Sequence, residues 1–300
     1  MDSVEVNQRK ERAAFLSIIS NSTLVAGKFL VGFLTGSIGI LSEAVHSSMD
    51  LVASGIAWWS VRKSGLPPDE THNYGHGKIE TVSAVFESLL IVAAGVLIFW
   101  EAIQKIFHAA PIEEISWGLW IMGISTVVNI LVSRYLFKVG QETESQALIA
   151  DAHHLSSDVW SSIGVFVGLI IVHFTGWYWV DPAIALLVGL WIIRIGLVLC
   201  YEGIEGLIDT VLPEEEAQVI RHILDEDSRV HLYHHLRSRR SGSIRLIDFH
   251  IHLDHDMTLE DAHRITHEIK HKIESQIPKV DVIIHAEPCS EGSTCRVEFR

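Results

Sequence analysis

Two segments of the sequence carry the same pair of metal-binding residue types at the same spacing. His46 and Asp50 lie four residues apart in LSEAVHSSMD, and His154 and Asp158 repeat that spacing in DAHHLSSDVWSS. On an α-helix, side chains four residues apart lie on one face. Two such helices can bring two imidazole nitrogens and two carboxylate oxygens to one point. That is a tetrahedral ligand set of the kind that Zn²⁺ accepts.

Both pairs lie in apolar segments, where an ionisable side chain is costly. Ionisable residues at membrane depth usually face a bundle interior or a water-filled cavity and mark an ion path. A structural hydrogen bond is the alternative interpretation of one pair, and two matched pairs on separate helices disfavour it. The sequence has six windows of roughly 18 or more apolar residues, each long enough to cross a hydrocarbon layer of ~30 Å. They lie at about Ala13–Leu34, Ile38–Val61, Thr81–Ile106, Ile115–Phe137, Gln146–Phe174 and Pro182–Ile208.

Composition agrees with a membrane domain followed by a soluble one. The 300 residues are 48% hydrophobic with a mean hydropathy of +0.29, and the apolar blocks end near Asp209. We therefore predict a six-helix transmembrane domain over residues 1–209 and a cytosolic domain over residues 210–300. The net charge of −14 argues against a nucleic-acid partner and leaves the lipid bilayer as the expected surroundings.

The basic residues predict the orientation. Cytoplasmic loops of membrane proteins carry an excess of Lys and Arg. With the N-terminus in the cytoplasm, nearly all basic residues of the short connecting segments fall on the cytoplasmic side. The sequence thus predicts a multi-pass protein of the cell inner membrane with both termini in the cytoplasm. The residues concerned are Arg9, Lys10, Arg12, Arg62, Lys63, Lys78, Arg134 and Lys138.

A loop after the second window offers a further candidate metal site. In PPDETHNYGHGKIE, Asp69, His72 and His76 are spaced three and four residues apart, after two prolines that end the preceding helix. Such Asp and His clusters can bind a divalent metal. The alternative is a solvated polar loop with incidental histidines.

Several polar neighbours of the two pairs are predicted to lie outside the set of four ligands. Glu43 and His153 each lie about 100° round the helix from a proposed ligand, so they are rim groups at best. Asp151 lies on the stripe of His154 and Asp158, about one turn further out. It either lines an access path to the site or caps the start of the helix.

The last third of the chain predicts a small α+β domain. An acidic helix start, PEEEAQVIRHILDED, is followed by two strands joined at Ser241–Gly242, a hairpin signal. Thr258 then begins a helix as a predicted N-cap, and VDVIIHAEP predicts a last strand. The predicted order αββαβ is typical of an open α+β sandwich.

The paired His-x-x-x-Asp motifs, together with YGHGKIE, resemble the cation diffusion facilitator family over essentially the whole chain. The resemblance implies an exporter of divalent transition metals that exchanges them for protons as a homodimer. It places the transport site between the second and fifth spans, at His46, Asp50, His154 and Asp158. Two His with two Asp imply zinc preference, and an Asp-rich site also admits cadmium.

The resemblance extends to three other features. It implies a loop metal site at Asp69, His72 and His76, and a contact between Lys78 and Asp209 near the membrane exit. It implies a ferredoxin-like cytosolic domain that dimerises and binds regulatory metal. The motifs HHLR, DFH, DAH and IIHAEP assign His234, His250, His263 and His285 to that cytosolic site, with Glu287 where the family has Asp. His255, His267 and His271 are expected on the solvated surface.

Three alternatives stay open from the residues. The same fold can carry Fe²⁺, Cd²⁺, Co²⁺ or Mn²⁺, because affinity order alone does not select the metal. A membrane metal sensor or storage protein would bind metal without moving it. A membrane metalloprotease would need a His-Glu-x-x-His helix, and the apolar windows contain none. We therefore expect a transporter, not an enzyme, with Zn²⁺ as cargo and regulator and protons as the counter-ion.

Overall fold

A computed structural model describes residues 3–107, 117–177 and 179–289 of the chain. These residues divide into two compact units with the boundary after Ile204. The functional limits at 1–209 and 210–300 stay a prediction.

The first unit consists of long helices. They are α1 (Ser3–Thr35), α2 (Ile38–Ser64), α3 (Lys78–Phe107), α4 (Trp117–Thr143), α5 (Gln146–Thr175) and α6 (Val180–Leu207). Among the described residues, all of these except α2 are long and apolar enough to cross a membrane. His46, Asp50 and several serines lower the mean hydropathy of α2. The described helices therefore give five candidate spans, and the sixth stays a prediction.

Local sequence signals fix where the two motif-bearing helices begin. The Ser37 hydroxyl caps α2 by accepting a hydrogen bond from the backbone N–H of Ile40, and Ser145 caps α5 through Leu148 in the same way. Gly176 ends α5 with a φ of 70°, a left-handed conformation that glycine adopts without strain. Both helices are therefore set by their own sequences.

Packing brings those two helices together. α2 contacts α1, α3 and α5, and α5 also contacts α4 and α3. The interior of this unit is lined by small residues, which permit close approach between helices in a membrane. The fully buried ones include Ala13, Ala14, Ala44, Ala53, Ala57, Ala147, Ser17, Ser54 and Ser60. Because the neighbouring residues are small, the polar side chains of α2 and α5 fit between the helices.

The second unit has the element order αββαβ. It contains α7 (Glu214–Glu226), β1 (Leu232–Ser241), β2 (Ile244–Leu253), α8 (Leu259–Gln276) and β3 (Val280–Pro288). The three described strands form one sheet in the order β1-β2-β3. β1 and β2 form the predicted antiparallel hairpin, and β3 pairs parallel to β2 after the α8 crossover. The small sheet and helices agree with the predicted α+β class, and the ferredoxin-like assignment stays a prediction.

Strand β2 separates the core of this unit from its histidines. Ile247, Phe249, Ile251 and Leu253 are all buried and pack against the helices. Successive side chains of a strand point to opposite faces. The intervening histidines of β2 therefore lie together on the face of the sheet that points away from the core.

Candidate metal centres

The four residues of the two His-x-x-x-Asp pairs lie together between α2 and α5. His46, Asp50 and Asp158 each offer a ligand atom, and these atoms lie within 4.8 Å of one another. The fourth residue, His154, places its Nε2 3.2 Å from Asp50 Oδ1. The compact group therefore has one nitrogen and two oxygen ligand atoms, and His154 lies outside it but contacts Asp50. With His154 the four residues have the number of ligands that a tetrahedral divalent site requires.

The site lies at one end of an open cavity. His154 is 5% exposed and Asp50 9% exposed, whereas His46 faces the cavity. The cavity has a volume of about 490 Å³ and is lined by residues of α1 to α6. A hydrated ion can therefore reach His46 and Asp158 from this side, while His154 is held in the protein interior.

A buried lysine lies beside the site, and the sequence patterns did not predict it there. Lys28 of α1 is 5% exposed and lines the same cavity. Its Nζ donates hydrogen bonds to Glu43 Oε1 at 2.9 Å and to Ser47 Oγ at 2.6 Å. Glu43 is therefore a rim group that pairs with lysine, in keeping with its position round the helix. A lone lysine in an apolar window was the available signal, since such residues usually face the bundle interior.

The loop residues Asp69, His72 and His76 also form a cluster. Their candidate ligand atoms lie within 4.8 Å of one another, and Asp69 Oδ2 is 3.3 Å from His76 Nε2. A hydrogen bond from the Thr71 hydroxyl and one from the His72 backbone N–H lower the pKa of Asp69 to about 2. Asp69 is therefore ionised at neutral pH, as a metal ligand must be.

The second unit contains a third cluster, built on the face of its sheet that points away from the core. His234 of β1, His250 of β2 and Glu287 of β3 have candidate ligand atoms within 4.8 Å of one another. Glu287 Oε1 is 2.7 Å from His250 Nδ1, and its Oε2 is 3.3 Å from His234 Nε2. Partial burial raises the pKa of Glu287, but the hydrogen bonds from the two histidines outweigh it and hold that pKa below its usual value.

The other two residues assigned to the cytosolic site differ in their positions. His285 lies beside the cluster, with its Nε2 3.6 Å from Glu287 Oε1 and its ring 4.7 Å from that of His250. His263 lies exposed on α8, where its ring is 4.4 Å from the ring of His267. Within one described chain, the compact three-residue group does not include His263.

His252 is an additional member of this cluster that the motif assignment left out. Its Nε2 lies 3.2 Å from His234 Nε2 and 3.3 Å from Glu287 Oε2. Its buried Nδ1 has no hydrogen-bond partner among the described residues. The strand alternation that places His250 and His252 on one face was the signal that could have found it. His234, His250, His252 and Glu287 together offer four ligands from one chain.

We expect His252→Ala to weaken zinc binding at the cytosolic cluster by at least about tenfold, because one of four candidate ligands is lost. The measurement is a titration of the full chain against a chromophoric zinc chelator. A background carrying His72→Ala and Asp158→Asn removes competition from the other two centres. His267→Ala, on the exposed face of α8, is the matched control and should leave the affinity unchanged. Equal affinities for the His252 and His267 variants would contradict the assignment.

The predicted contact between Lys78 and Asp209 stays a prediction. Lys78 begins α3 in the first unit, and Asp209 belongs to the second. Within the second unit, Arg239 Nη1 lies 3.4 Å from Asp209 Oδ2. That ion pair holds the segment before α7 against β1.

Comparison with known proteins decides the family. Residues 14–208 match the cation efflux transmembrane domain, and residues 212–289 match the cation efflux protein cytoplasmic domain. The chain belongs to the cation diffusion facilitator family. The resemblance drawn from the two His-x-x-x-Asp motifs and YGHGKIE is confirmed.

Full-length relatives give the same result. A cation-efflux pump FieF of Citrobacter koseri is 34% identical over 279 residues, which cover 93% of each chain. A FieF of Salmonella paratyphi A is 33% identical with the same coverage. As a member of this family, the chain is a multi-pass membrane protein that belongs with divalent-metal efflux pumps and not with enzymes.

Solved structures of similar chains cover the cytosolic unit. The zinc form of a putative zinc transporter CzrB is 33% identical and covers 28% of this chain and 98% of its own, with a TM-score of 0.27. The metal-bound C-terminal domain of the CzcD transporter from Thermotoga maritima is 30% identical and covers 26% of this chain and 93% of its own, with a TM-score of 0.25.

Proposed function

We propose that this family member exports Zn²⁺ in exchange for protons, working as a homodimer by alternating access. The observation that supports the proposal is the compact group of His46, Asp50 and Asp158 at a cavity, with His154 in contact with Asp50. Buried charge is costly in a membrane protein, so four such groups at one point indicate a site for a cation. The protonation of the ligands, the position of the cavity and the two other clusters support the proposed counter-ion, direction of transport and regulation, in that order.

Protons and zinc compete for the same side chains. Zinc binds neutral histidine and ionised aspartate, so its binding displaces protons from these ligands. Between Asp50 and His154 the 3.2 Å contact is a hydrogen bond that uses one ligand atom from each residue. A zinc ion must replace this bond with two coordination bonds. A proton that returns restores it and lowers the affinity of the site for the metal.

The direction of transport follows from the orientation proposed for the helices. With six spans and both termini in the cytoplasm, the ends of α1, α3 and α5 that begin each helix lie on the cytoplasmic side. The open cavity extends from the candidate site toward the other ends of these helices, as far as Lys28, Lys105 and Val165. Under the proposed orientation this cavity opens to the outside, which supports an outward-open state in which protons would displace zinc. Rocking of helix pairs about the site would then open the cytoplasmic side.

The cytosolic and loop clusters are proposed to be regulatory or accessory zinc centres. The candidate ligands His234, His250, His252 and Glu287, with His285 beside them, lie on the open face of a sheet in a domain proposed to dimerise. Zinc bound there would stabilise one arrangement of the domain and link export to cytosolic zinc. Glu287 has the ligand chemistry of the Asp found in the family, with one more methylene in its side chain.

Two other functions remain as candidates. The same site can carry Fe²⁺, Cd²⁺, Co²⁺ or Mn²⁺, and its two imidazole nitrogens favour zinc over the ions that prefer oxygen ligands. A membrane metal sensor that moves no ion would use the same ligands. Flux separates the sensor from the exporter, and competition between metals ranks the cargo.

The test is metal-resolved flux in proteoliposomes that contain the full chain and an imposed pH gradient. We expect protons to move down the imposed pH gradient and zinc to move in the opposite direction. Both fluxes should be measurable. Zinc flux that is independent of the pH gradient would refute proton exchange. Binding without flux for every divalent metal would favour the sensor.

A further inference from the structure

A buried lysine forms an ion pair at the wall of the cavity that leads to the transport site. Lys28 of α1 is 5% exposed, and its Nζ lies 2.9 Å from Oε1 of Glu43 on α2. The same Nζ donates a hydrogen bond of 2.6 Å to Ser47 Oγ. Burial of an ammonium group costs free energy unless the group is paired, and ionisable side chains within membrane helices usually serve a function. The position of Lys28 therefore requires an explanation.

Stability alone is a weak explanation for this ion pair. The Glu43 side chain is 43% exposed and lines the cavity. A carboxylate that stays in contact with water gains little free energy from an ion pair. The pair between Lys10 and Glu80 is the contrasting case, because those side chains are 5% and 4% exposed. A buried cation opposite a hydrated anion indicates that the charge of Lys28 acts on the contents of the cavity.

The contact with Ser47 places the ammonium group next to the metal ligands. Ser47 directly follows His46 and precedes Asp50 by three residues. Each residue of a helix adds 1.5 Å along the axis, so Ser47 is within ~5 Å of both ligands along α2. Lys28, these three residues of α2 and Asp158 all line the same cavity. The positive charge of Lys28 is therefore close to the position at which a cargo ion would bind.

Glu43 lies beside the path from the transport site into the cavity. Among the residues of α2 that line the cavity, Asp50 comes last in the sequence and Glu43 comes first. Glu43 precedes His46 by three residues, and side chains at this spacing are neighbours on a helix surface. An ion that leaves Asp50 and His46 through the cavity therefore passes the Glu43 carboxylate.

The charges of the site show what Glu43 would do without its lysine. Asp50 and Asp158 supply two negative charges when they bind a metal, and these match the two positive charges of a divalent ion. A third carboxylate beside them would raise the affinity, because the number of charged ligands sets the affinity of a site for a divalent ion. A transported ion must be bound weakly enough to leave. An unpaired Glu43 would therefore slow the release of the ion.

We propose that Lys28 is a positioning residue that pairs with Glu43 and prevents this carboxylate from binding the transported ion. The inference rests on the proposed function, because it concerns the affinity of the transport site for its cargo. Lys28 cancels the charge of Glu43 and leaves the ion with the two charges of Asp50 and Asp158. The affinity of the site then stays low enough for the ion to leave into the cavity.

The test is the zinc affinity of the full chain, measured by competition with a chromophoric zinc chelator. The substitutions His72→Ala and His250→Ala remove the loop and cytosolic centres from the measurement. In this background we expect Lys28→Met, which keeps an unbranched side chain and removes its charge, to bind zinc about tenfold more tightly. Glu43→Gln removes the carboxylate but leaves the charge of the lysine, and it should bind zinc no more tightly than the parent chain.

The double variant Lys28→Met with Glu43→Gln distinguishes charge pairing from packing. It contains neither charge, so the net charge beside the ion equals that of the parent chain. Its zinc affinity should therefore return to within about threefold of the parent value, although Lys28→Met alone binds more tightly. A purely structural role for Lys28 predicts the reverse. Loss of the lysine would then weaken zinc binding, and the second substitution would not restore it.

Zinc uptake into inverted vesicles gives a second readout. We expect Lys28→Met to lower the maximal rate by about tenfold, because differences in affinity appear mainly in the rate of release. The half-saturating zinc concentration should fall as well, and the double variant should restore both values. Lys105→Met is the matched control. Lys105 also lines the cavity, but its side chain is 56% exposed and its Nζ lies 3.6 Å from Asp181 Oδ2. This control should leave both values unchanged.

Three results would overturn the inference. An unchanged or weaker zinc affinity in Lys28→Met would show that Glu43 does not compete for the ion. A double variant that binds zinc as tightly as Lys28→Met alone would show that Lys28 does not act through Glu43. Equal effects of Lys28→Met and Lys105→Met would show only a general dependence on positive charge in the cavity.

Failure of the proposed function gives a different result. The chain without the loop and cytosolic centres would then bind no zinc, or it would still bind zinc after Asp158→Asn. Either result is seen before Lys28 is changed. If this chain binds zinc, and Asp158→Asn abolishes that binding, the Lys28 and Glu43 variants test the inference alone.

Discussion

His154→Ala is expected to lower zinc flux by about a hundredfold or more, the upper end of what loss of groups around a metal costs. The variant removes one of four ligands and also the hydrogen-bond partner of Asp50, 3.2 Å away. The Asp50 carboxylate, 9% exposed, would then be buried without that partner. The measurement is the initial rate of zinc uptake into inverted vesicles at matched protein levels.

The neighbouring histidine provides the control for this prediction. His153 is part of the same helix turn, but its ring packs edge-on against Phe137, with centroids 5.3 Å apart. His153→Ala should therefore keep most of the flux. Normal transport by the His154 variant, or equal losses in the two variants, would show that the convergence of α2 and α5 does not form the transport site.

The spacing of the four ligands could be predicted from sequence because it is local. A separation of four residues, about one helical turn, places His46 on one face with Asp50 and His154 on one face with Asp158, whatever the rest of the fold does. That α2 and α5 are neighbours is a different matter, because it depends on packing between distant parts of the chain. The family resemblance predicted that α2 and α5 are neighbours. The spacing of the residues by itself did not show which helices are in contact.

The hydropathy of α2 shows why the number of spans is harder to predict. The polar residues of α2, among them the candidate ligands His46 and Asp50, leave this helix outside the five described helices that are apolar enough to cross a membrane. In this helix, the polar residues suited to metal binding therefore lower the hydropathy by which a membrane span is recognised. Its assignment as a span depends on its neighbours and on the proposed topology.

Long-range partners of charged residues could not be predicted. Lys28 pairs with Glu43 on the next helix, and His252 joins His234 across two strands. Each contact joins residues that are 15 or more positions apart, and neither sequence pattern specifies the partner. Periodicity predicts which face a side chain occupies but does not identify what lies opposite.

The same limit applies to a buried ion pair that joins four helical segments. Lys10 of α1 and Glu80 of α3 are 4% and 3% exposed, and their charged atoms are 3.0 Å apart. Glu80 also accepts hydrogen bonds from Ser64 at the end of α2 and from Ser145, the N-cap of α5. On sequence alone Lys10 counts only as one more basic residue that sets the orientation.

Lys10→Met is expected to destabilise the protein by about 3 kcal/mol, because removing one partner of a buried pair leaves the other charge uncompensated. The two serine hydroxyls keep the loss at the lower end of the range for buried pairs. The measurement is denaturant unfolding of the full chain in mixed micelles. The expected change is a lower midpoint with an unchanged denaturant slope.

The double variant Lys10→Met with Glu80→Gln distinguishes the ion pair from side-chain packing. Both single changes leave one buried charge without its partner, whereas the double variant leaves none. Replacing a buried ion pair by neutral groups of similar volume is often close to neutral for stability. The double variant should therefore be more stable than Lys10→Met alone. If it is less stable by the sum of the two single effects, the pair contributes no coupling, and the ends of α1, α2, α3 and α5 are held together by apolar packing instead.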